Sequence, residues 1–589
     1  MPPTSFRTLT CRLLSALTAL LILPAAAQTP TWQWGLQTTN PTPLDGTETV
    51  ANAVATDASG RAYVGGTLSF QSVPVVNVSR SFGNAGTFGP GQGGFVAQAT
   101  AAGSWAWFTA VKPLGTDGFG VQFAKVTAVA VAPAGDVYAA GYANAATLQA
   151  GPVNEPLGSS GRAVFVARFS SAGVCQWLRP VESADTDPLL AFDPSTGGVV
   201  LAGTYQNSPS FGTVTLPTGA GALFVARLSP TGQWTGATAT AGTPNIITSY
   251  FTMAVGPAGQ VALAGSHRAG SLTFGSTTLT TTTPNGFSFF VAQLSPANVW
   301  QWAAGGSGSQ LNSLYAAAYT PTGALWVSGS GMDGTVVGPA TLSTGTPAAT
   351  DCQSGFVGQL SATGQWGTVQ QLAASGSAYS VFTNLKADAA GNALVLGGLR
   401  GLGATVQAPL GSHTLFGPRD GILFFAARLT GTGQWQYLAE VPGLTSAGQL
   451  QPTDLALDGS GNLYLSGALR GSLPVGSGTL QGTTNGSAAP RGYDAVLLRL
   501  TNATALASRA ATAATPLACY PNPAHTAATL RLPATAEAAT ATLVDALGRP
   551  ARTYALPTHA LTATLDLTGI APGLYGVRCG TALGRLVVE

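Results

Sequence analysis

Charged residues are scarce in this chain. Of 589 residues, 8% are Asp, Glu, Lys or Arg, where an ordinary soluble domain carries about 25%. Lysine occurs three times, at Lys112, Lys125 and Lys386. The basic residues form no run, and binding to duplex nucleic acid needs clustered cations that displace counterions from phosphate. Nucleic acid is therefore excluded as a partner. Cysteine is rare too, with five in the chain, too few for a disulfide scaffold of this length. Beyond residue 27 no apolar run is long enough to cross a bilayer as a helix. What the chain has in quantity is glycine (77) and proline (38), beside a hydrophobic fraction of 45% and a mean hydropathy of +0.26. That composition supplies a core and excludes intrinsic disorder.

Residues 1–27 read as a secretory signal peptide. Arg7 and Arg12 precede the apolar stretch Leu13–Leu23, and Ala25-Ala26-Ala27 offers small residues for cleavage before Gln28. The apolar stretch is too short for a stable transmembrane helix. Cys11 lies ahead of it and cannot become a lipidated first residue. Removing Arg7 and Arg12 from 24 basic residues leaves 22 against 22 acidic ones. The mature chain is expected to be exported and to lack a transmembrane segment. It keeps Cys175, Cys352, Cys519 and Cys579. Cys519 and Cys579 fall in one small region and are the pair for which a disulfide is an open question; Cys175 stands where other repeats have Trp and reads as a buried free thiol.

A unit recurs seven times between residues 28 and 500. It consists of an alternating apolar stretch, a Gly turn, aromatic-x-x-Gly, a long Gly/Thr loop, Phe-Val-Ala-x-Leu, a short turn and Trp-x-Trp. The aromatic-x-x-Gly element ends at Gly66, Gly141, Gly203, Gly265, Gly329, Gly398 and Gly467. The Phe-Val-Ala-x-Leu element starts at Phe95, Phe165, Phe224, Phe290, Phe356, Phe425 and, degenerate, Val496. Its x position holds Gln98, Arg168, Arg227, Gln293, Gln359, Arg428 and Arg499. The Trp strand carries Trp105, Cys175, Trp234, Trp300, Trp366 and Trp435, and the missing seventh member stands at the other end of the chain, in Trp32-Gln33-Trp34. Four strand signals per unit and an orphan first strand predict a closed seven-bladed β-propeller, in which the N-terminal strand completes the last blade and removes an edge. Period-2 alternation predicts that both tryptophans of each Trp-x-Trp share a face. Phrases such as Phe211-Gly212 to Leu216 and Phe274-Gly275 to Leu279 predict extra hairpins, all on one side of the ring. The units resemble the seven-bladed β-propeller repeat of exported bacterial surface proteins, most closely in Asp57–Gly66 and Asp458–Gly467. That family has a common architecture and no common activity.

Residues 501–515 form an Ala/Thr-rich linker. Residues 516–589 then alternate short strand signals with Gly/Pro turns, as in a small β-sandwich. Three phrases stand out: Tyr520-Pro521-Asn522-Pro523, Asp545-x-x-Gly548-Arg549 and Pro572-Gly573-Leu574-Tyr575. In identity, order and spacing they resemble the type A C-terminal sorting domain of the type IX secretion system. The resemblance implies passage across the inner membrane by the signal peptide and across the outer membrane by the type IX machinery. It further implies removal of the domain, then release or attachment to surface lipopolysaccharide. The whole reads as an all-β protein, a propeller followed by a sorting domain, placed at the cell surface or outside the cell.

Motifs for chemistry are few. Asp57, Asp193, Asp388 and Asp458 occupy the turn before the second strand, where Asp side chains bond nearby backbone N–H groups. Glu182, Asp185 and Asp187 form an acidic cluster that offers oxygens to calcium without the spacing of a known loop, and a solvated loop is the simpler reading. Calcium is the sole cofactor candidate. The histidines His267, His413, His525 and His559 show no metal-ligand spacing. Neither G-x-G-x-x-G match, at Gly89/Gly91/Gly94 and Gly329/Gly331/Gly334, opens a helix as a pyrophosphate site requires. No catalytic residue is assigned. The expected role is non-enzymatic binding, adhesion or scaffolding, with a polysaccharide or another surface protein as partner. The alternatives are an enzyme acting on extracellular polysaccharide through loop carboxylates, and a purely structural surface-layer component.

Overall fold

Runs of Val, Ala, Leu and Phe that alternate between two faces, punctuated by Gly turns, favour strands over helices. Accordingly the computed structural model contains strands and no helix among its described residues, so none is long and apolar enough to cross a membrane. It describes residues 30–38, 47–70, 92–115, 122–158, 161–182, 187–219, 221–242, 246–268, 270–281, 287–306, 312–344, 352–419, 421–442, 448–482, 493–501, 516–532, 540–545, 550–556, 562–579 and 582–589. The signal peptide with its Ala27/Gln28 junction and most of the linker lie outside them. The described residues fall into two compact units that divide near residue 504.

The larger unit is built from propeller-like repeats, each a four-stranded antiparallel meander. In the second repeat these strands are Phe123–Val131, Val137–Asn144, Arg162–Phe169 and Cys175–Glu182. We number the meanders as sheets 1 to 7. Their first strands are Thr47–Thr56, Phe123–Val131, Leu189–Phe192, Ile246–Val255, Ser313–Tyr319, Ala378–Ala387 and Gly448–Leu457. Sheet 7 takes its fourth strand from Thr31–Gln37, which pairs antiparallel with Asp494–Thr501. Each first strand lies against the first strand of the next sheet, and Thr47–Thr56 lies against Gly448–Leu457. Apolar side chains fill every junction between successive sheets. The cluster that joins repeats 1 and 7 contains Val54, Val64 and Phe95 beside Ala456, Tyr464 and Leu497.

Pairing registers correct two expectations. The first concerns the tryptophans. Trp32 opposes Leu500 while Trp34 opposes Arg499, and Trp300 opposes Leu294 while Trp302 opposes Gln293. A β-bulge thus sets the two rings against consecutive partners, which puts them on opposite faces. Trp105 and Trp107 divide in the same way, between the cluster shared with sheet 7 and the cluster shared with sheet 2. Each pair therefore staples three sheets. The first indole donates backward, as in Trp32 Nε1 to Glu440 O at 2.7 Å, and the second forward, as in Trp302 Nε1 to Ala362 O at 3.0 Å.

The second correction is one residue long. Gly397, not Gly398, opposes Phe425, as Gly66 opposes Phe95 and Gly265 opposes Phe290. Two adjacent glycines made the positions indistinguishable in sequence. The excursions after the second strands are hairpins, as the repeated phrases predict, such as Gly270–Phe274 with Thr277–Thr281, and they fold back over the outer strands. Phe211 and Phe274 each meet the outer-strand Trp edge-to-face at 4.9 Å. The turn at Gly275 adopts φ +60°, and a Cβ there would lie 3.2 Å from Trp300. Burial of these rings outweighs exposure of the hairpin as a free loop. The corresponding loop of repeat 1, residues 71–91, lies outside the described residues.

The smaller unit links seven strands in one pairing path, with Pro516–Tyr520 between Ala527–Arg531 and Ala582–Val588. Leu530 and Leu565 from one end share a core with Leu543, Val577 and Leu586 from the other.

Candidate functional site

The turn aspartates are built into the frame. Asp57 Oδ1 accepts from the Ser59 and Arg61 backbone N–H groups at 2.9 and 3.1 Å, and Oδ2 accepts from Arg61 Nε at 2.6 Å. Burial pushes its carboxyl up, but the bonds from Ser59, Arg61 and Tyr63 outweigh burial and hold it below the ordinary carboxylate range. Asp193, Asp388 and Asp458 accept from the equivalent backbone groups. The recurring arginines close on these turns. Arg227 Nη1 reaches Asp193 Oδ2 at 2.8 Å, and its Nη2 donates to Gly259 O and Ser295 O of the next repeat. Arg168 pairs with Asp136 at 2.6 Å and donates to Pro230 O at 2.7 Å. Arg499 lies 4.0 Å from Asp458 and donates to Ala101 O. These residues lock neighbouring sheets together, which accounts for their recurrence.

A cavity of about 710 Å³ lies where the seven first strands converge. Its lining is uneven. Leu190, Phe192, Phe251 and Met253 come from sheets 3 and 4, whereas Asn384, Lys386 and Asp454 come from sheets 6 and 7. Bulges at Asn52, Thr127 and Thr453 turn polar side chains toward neighbouring sheets. Asn52 Nδ2 donates to Val126 O at 2.8 Å, for example. Asp454 accepts from Val54 N–H at 3.1 Å and Asn384 Nδ2 at 3.4 Å, and lies 3.7 Å from Lys386 Nζ. Sequence reasoning did not single out these three polar residues, because their convergence depends on bulge register rather than on any local motif.

The acidic cluster is reduced. Asp187 pairs with Lys125 at 2.5 Å, and Asp185 lies outside the described residues. Among the described residues no three His, Cys, Asp or Glu side chains gather as a metal site. His267 is buried beside Phe290 with Nδ1 3.1 Å from Arg268 O, and burial lowers its pKa. His413 stacks on Tyr437 at 3.8 Å, and His525 is exposed near Glu589. His559 is outside the described residues. Cys175, Cys352, Cys519 and Cys579 are free thiols, so the disulfide raised for Cys519 and Cys579 is not formed. Burial pushes the Cys175 thiol up to about 12.

In the smaller unit the first and third of the three phrases flank the last strand. Asn522 Nδ2 donates to Arg585 O and Asn522 Oδ1 accepts from Val587 N–H, both at 2.8 Å. Ala524 N–H donates to Val587 O and its carbonyl accepts from Glu589 N–H. Pro521 and Pro523 follow cis peptide bonds. Gly573, Leu574 and Tyr575 pair with Val588, Val587 and Leu586 of the same strand. Tyr520 and Leu574 are exposed. Asp545 ends the Thr540–Val544 strand, and Gly548 and Arg549 lie outside the described residues.

No protein-family model and no curated protein matches the chain. Similar solved structures include a protein of unknown function from Dyadobacter fermentans DSM 18053, at 11% identity over 79% of this chain and 99% of that one, with a TM-score of 0.34. YCF48 bound to D1 peptide is similar at 10% identity over 81% and 99%, with a TM-score of 0.32. A protein of unknown function from Bacteroides thetaiotaomicron VPI-5482 is similar at 10% identity over 78% and 99%, with a TM-score of 0.28.

Proposed function

We propose that the chain is an exported binding module on a closed seven-bladed β-propeller, delivered to the cell surface or beyond by the type IX secretion system. Closure is supported by the pairing of Thr31–Gln37 with Asp494–Thr501 and by the apolar cluster shared between repeats 1 and 7. The secretion reading rests on the signal-peptide pattern and the three phrases of residues 516–589. The clip that Asn522 makes on the last strand supports those phrases as parts of one folded recognition unit.

The observation that carries binding over catalysis is the commitment of the recurring charges. Asp57, Asp193, Asp388 and Asp458 are saturated by turn and inter-sheet bonds, and Asp454 is held by Val54, Asn384 and Lys386. Carboxylates so engaged hold a frame instead of moving protons. A polysaccharide or another surface protein is the partner class. The test is a thermal-shift screen of the mature secreted protein against soluble polysaccharides, with and without calcium. Binding raises the melting temperature because the ligand prefers the folded state, and reducing-end sugars do not accumulate. Accumulation of cleaved product would overturn the non-enzymatic reading. Deleting residues 516–589 tests export, with periplasmic retention expected and normal surface display contradicting it.

A further inference from the structure

One junction has neither the Asp–Arg lock nor a large side chain in its place. At corresponding registers the second and third strands place Tyr63 opposite Gln98, Tyr138 opposite Arg168, Val200 opposite Arg227, Trp326 opposite Gln359, Leu394 opposite Arg428 and Tyr464 opposite Arg499. In repeat 4 the pair is Ala262 opposite Gln293, the smallest of the seven. Its turn also carries Gly256 where repeats 1, 3, 6 and 7 have Asp. Side-chain volume, cation and carboxylate are thus removed from one place. The result is a cavity of about 450 Å³ between sheets 4 and 5, within the size range of small-molecule sites. Ala362, on its far wall, corresponds to Pro230 and Ala101, whose carbonyls receive Arg168 and Arg499 elsewhere. The opening therefore stands where an arginine would otherwise lie.

We propose that this cavity binds a neutral saccharide unit. The inference rests on the reading of the chain as a polysaccharide-binding module and gives that module a site. The lining bears no charge. It carries the carboxamides of Gln260, Gln293 and Gln301, each with one polar atom engaged within the protein (Gln260 Oε1 by Ala258 N–H, Gln293 Oε1 by Trp302 Nε1, Gln301 Nε2 by Val299 O), beside the hydroxyls of Ser295 and Thr363 and the half-buried indole of Trp302. A carboxamide both donates and accepts, as a sugar hydroxyl does, so hydroxyl groups leave no buried partner unmatched. A charged ligand would lose hydration here without a counter-charge. The Trp302 indole, fixed by its bond to Ala362 O at 3.0 Å, supplies an apolar wall for the C–H surface of the ring.

The experiment measures binding of cellohexaose, xylohexaose and maltohexaose to the mature protein by calorimetry. The double variant Gly256→Asp with Gln293→Arg restores the lock of repeat 3. The backbone at Gly256 lies outside the left-handed region, and an added Cβ meets only the flexible end of Gln260. The variant is expected to keep its melting temperature and to lose at least tenfold in affinity for the hexaose that binds the parent. Gln301→Ala, an exposed change on the outer strand, should weaken binding without affecting folding. Gln359→Arg in repeat 5, where Trp326 already fills the space at 0% exposure, should leave affinity unchanged. Equal affinity in the parent and both repeat-4 variants would overturn this cavity as the site while leaving the binding-module reading intact. No binding of any hexaose by the parent would overturn the neutral-saccharide assignment itself.

Discussion

The recurring Asp–Arg pair shows how a chain poor in charge uses the few it has. Arg227 and Asp193 have 7% and 2% of their side chains exposed, so either one alone would be a charge stranded in a poorly hydrated place. Removing one partner of such a buried pair costs about 3–5 kcal/mol, whereas replacing both with apolar groups of similar volume costs much less. Arg227→Met is therefore expected to lower urea stability by that amount, and Arg227→Met with Asp193→Leu to recover most of it. A double variant as unstable as the single would contradict the ion-pair account. His267 gives a second prediction at this scale. Burial lowers its folded pKa below the ordinary value of 6.5, so the unfolded chain binds a proton more readily than the fold does. Stability is then full above pH 6.5 and falls as pH drops below it. Melting temperatures measured from pH 8 to pH 5 should show this fall in the parent and a shallower one in His267→Gln.

Strands and turns were legible in the sequence to the extent that their rules are local. Gly turns, Phe-Val-Ala-x-Leu and Trp-x-Trp each mark a strand by composition and period. The bulge inside every Trp-x-Trp pairing was not legible, because it arises from what the partner strand and the adjacent sheets demand. The repeat-4 cavity was hidden for a related reason. Ala262, Gln293 and Gly256 are unremarkable separately and meet only through register. The Trp staple makes its own prediction. Gly364 has φ +77°, and a Cβ on it would sit 2.5 Å from the Trp302 ring. Gly376 has φ +71° with nothing within 4 Å. Both Gly→Ala changes incur backbone strain of about 1–2 kcal/mol, but only Gly364→Ala must also displace an indole held between two sheets. Chemical denaturation should find Gly364→Ala clearly less stable than Gly376→Ala. Equal losses would mean that the indole can slide away freely.

At the scale of the whole molecule the consequential strand is Thr31–Gln37. It pairs with Asp494–Thr501, and Trp32 and Trp34 enter different inter-sheet clusters. Gln33 Oε1 accepts from Arg499 Nη1 at 2.6 Å, and Gln37 O accepts from Trp105 Nε1 at 3.2 Å. Removing it uncovers two apolar surfaces, takes away the Gln37 carbonyl that accepts from Trp105 and leaves Asp494–Thr501 as an exposed edge that invites association. Deletion of residues 31–37 is therefore expected to lower the melting temperature sharply and to produce oligomers on size-exclusion chromatography. A synthetic peptide of residues 30–38 supplied in trans should add back as a strand, because backbone pairing and two indole pockets await it. It should restore the parent's elution volume in proportion to its concentration, and a peptide with both tryptophans changed to Ser should not. If the deletion protein melted and eluted as the parent does, sheet 7 would be stable without the N-terminal strand, and the closure proposed above would have to rest on the first-strand contacts alone.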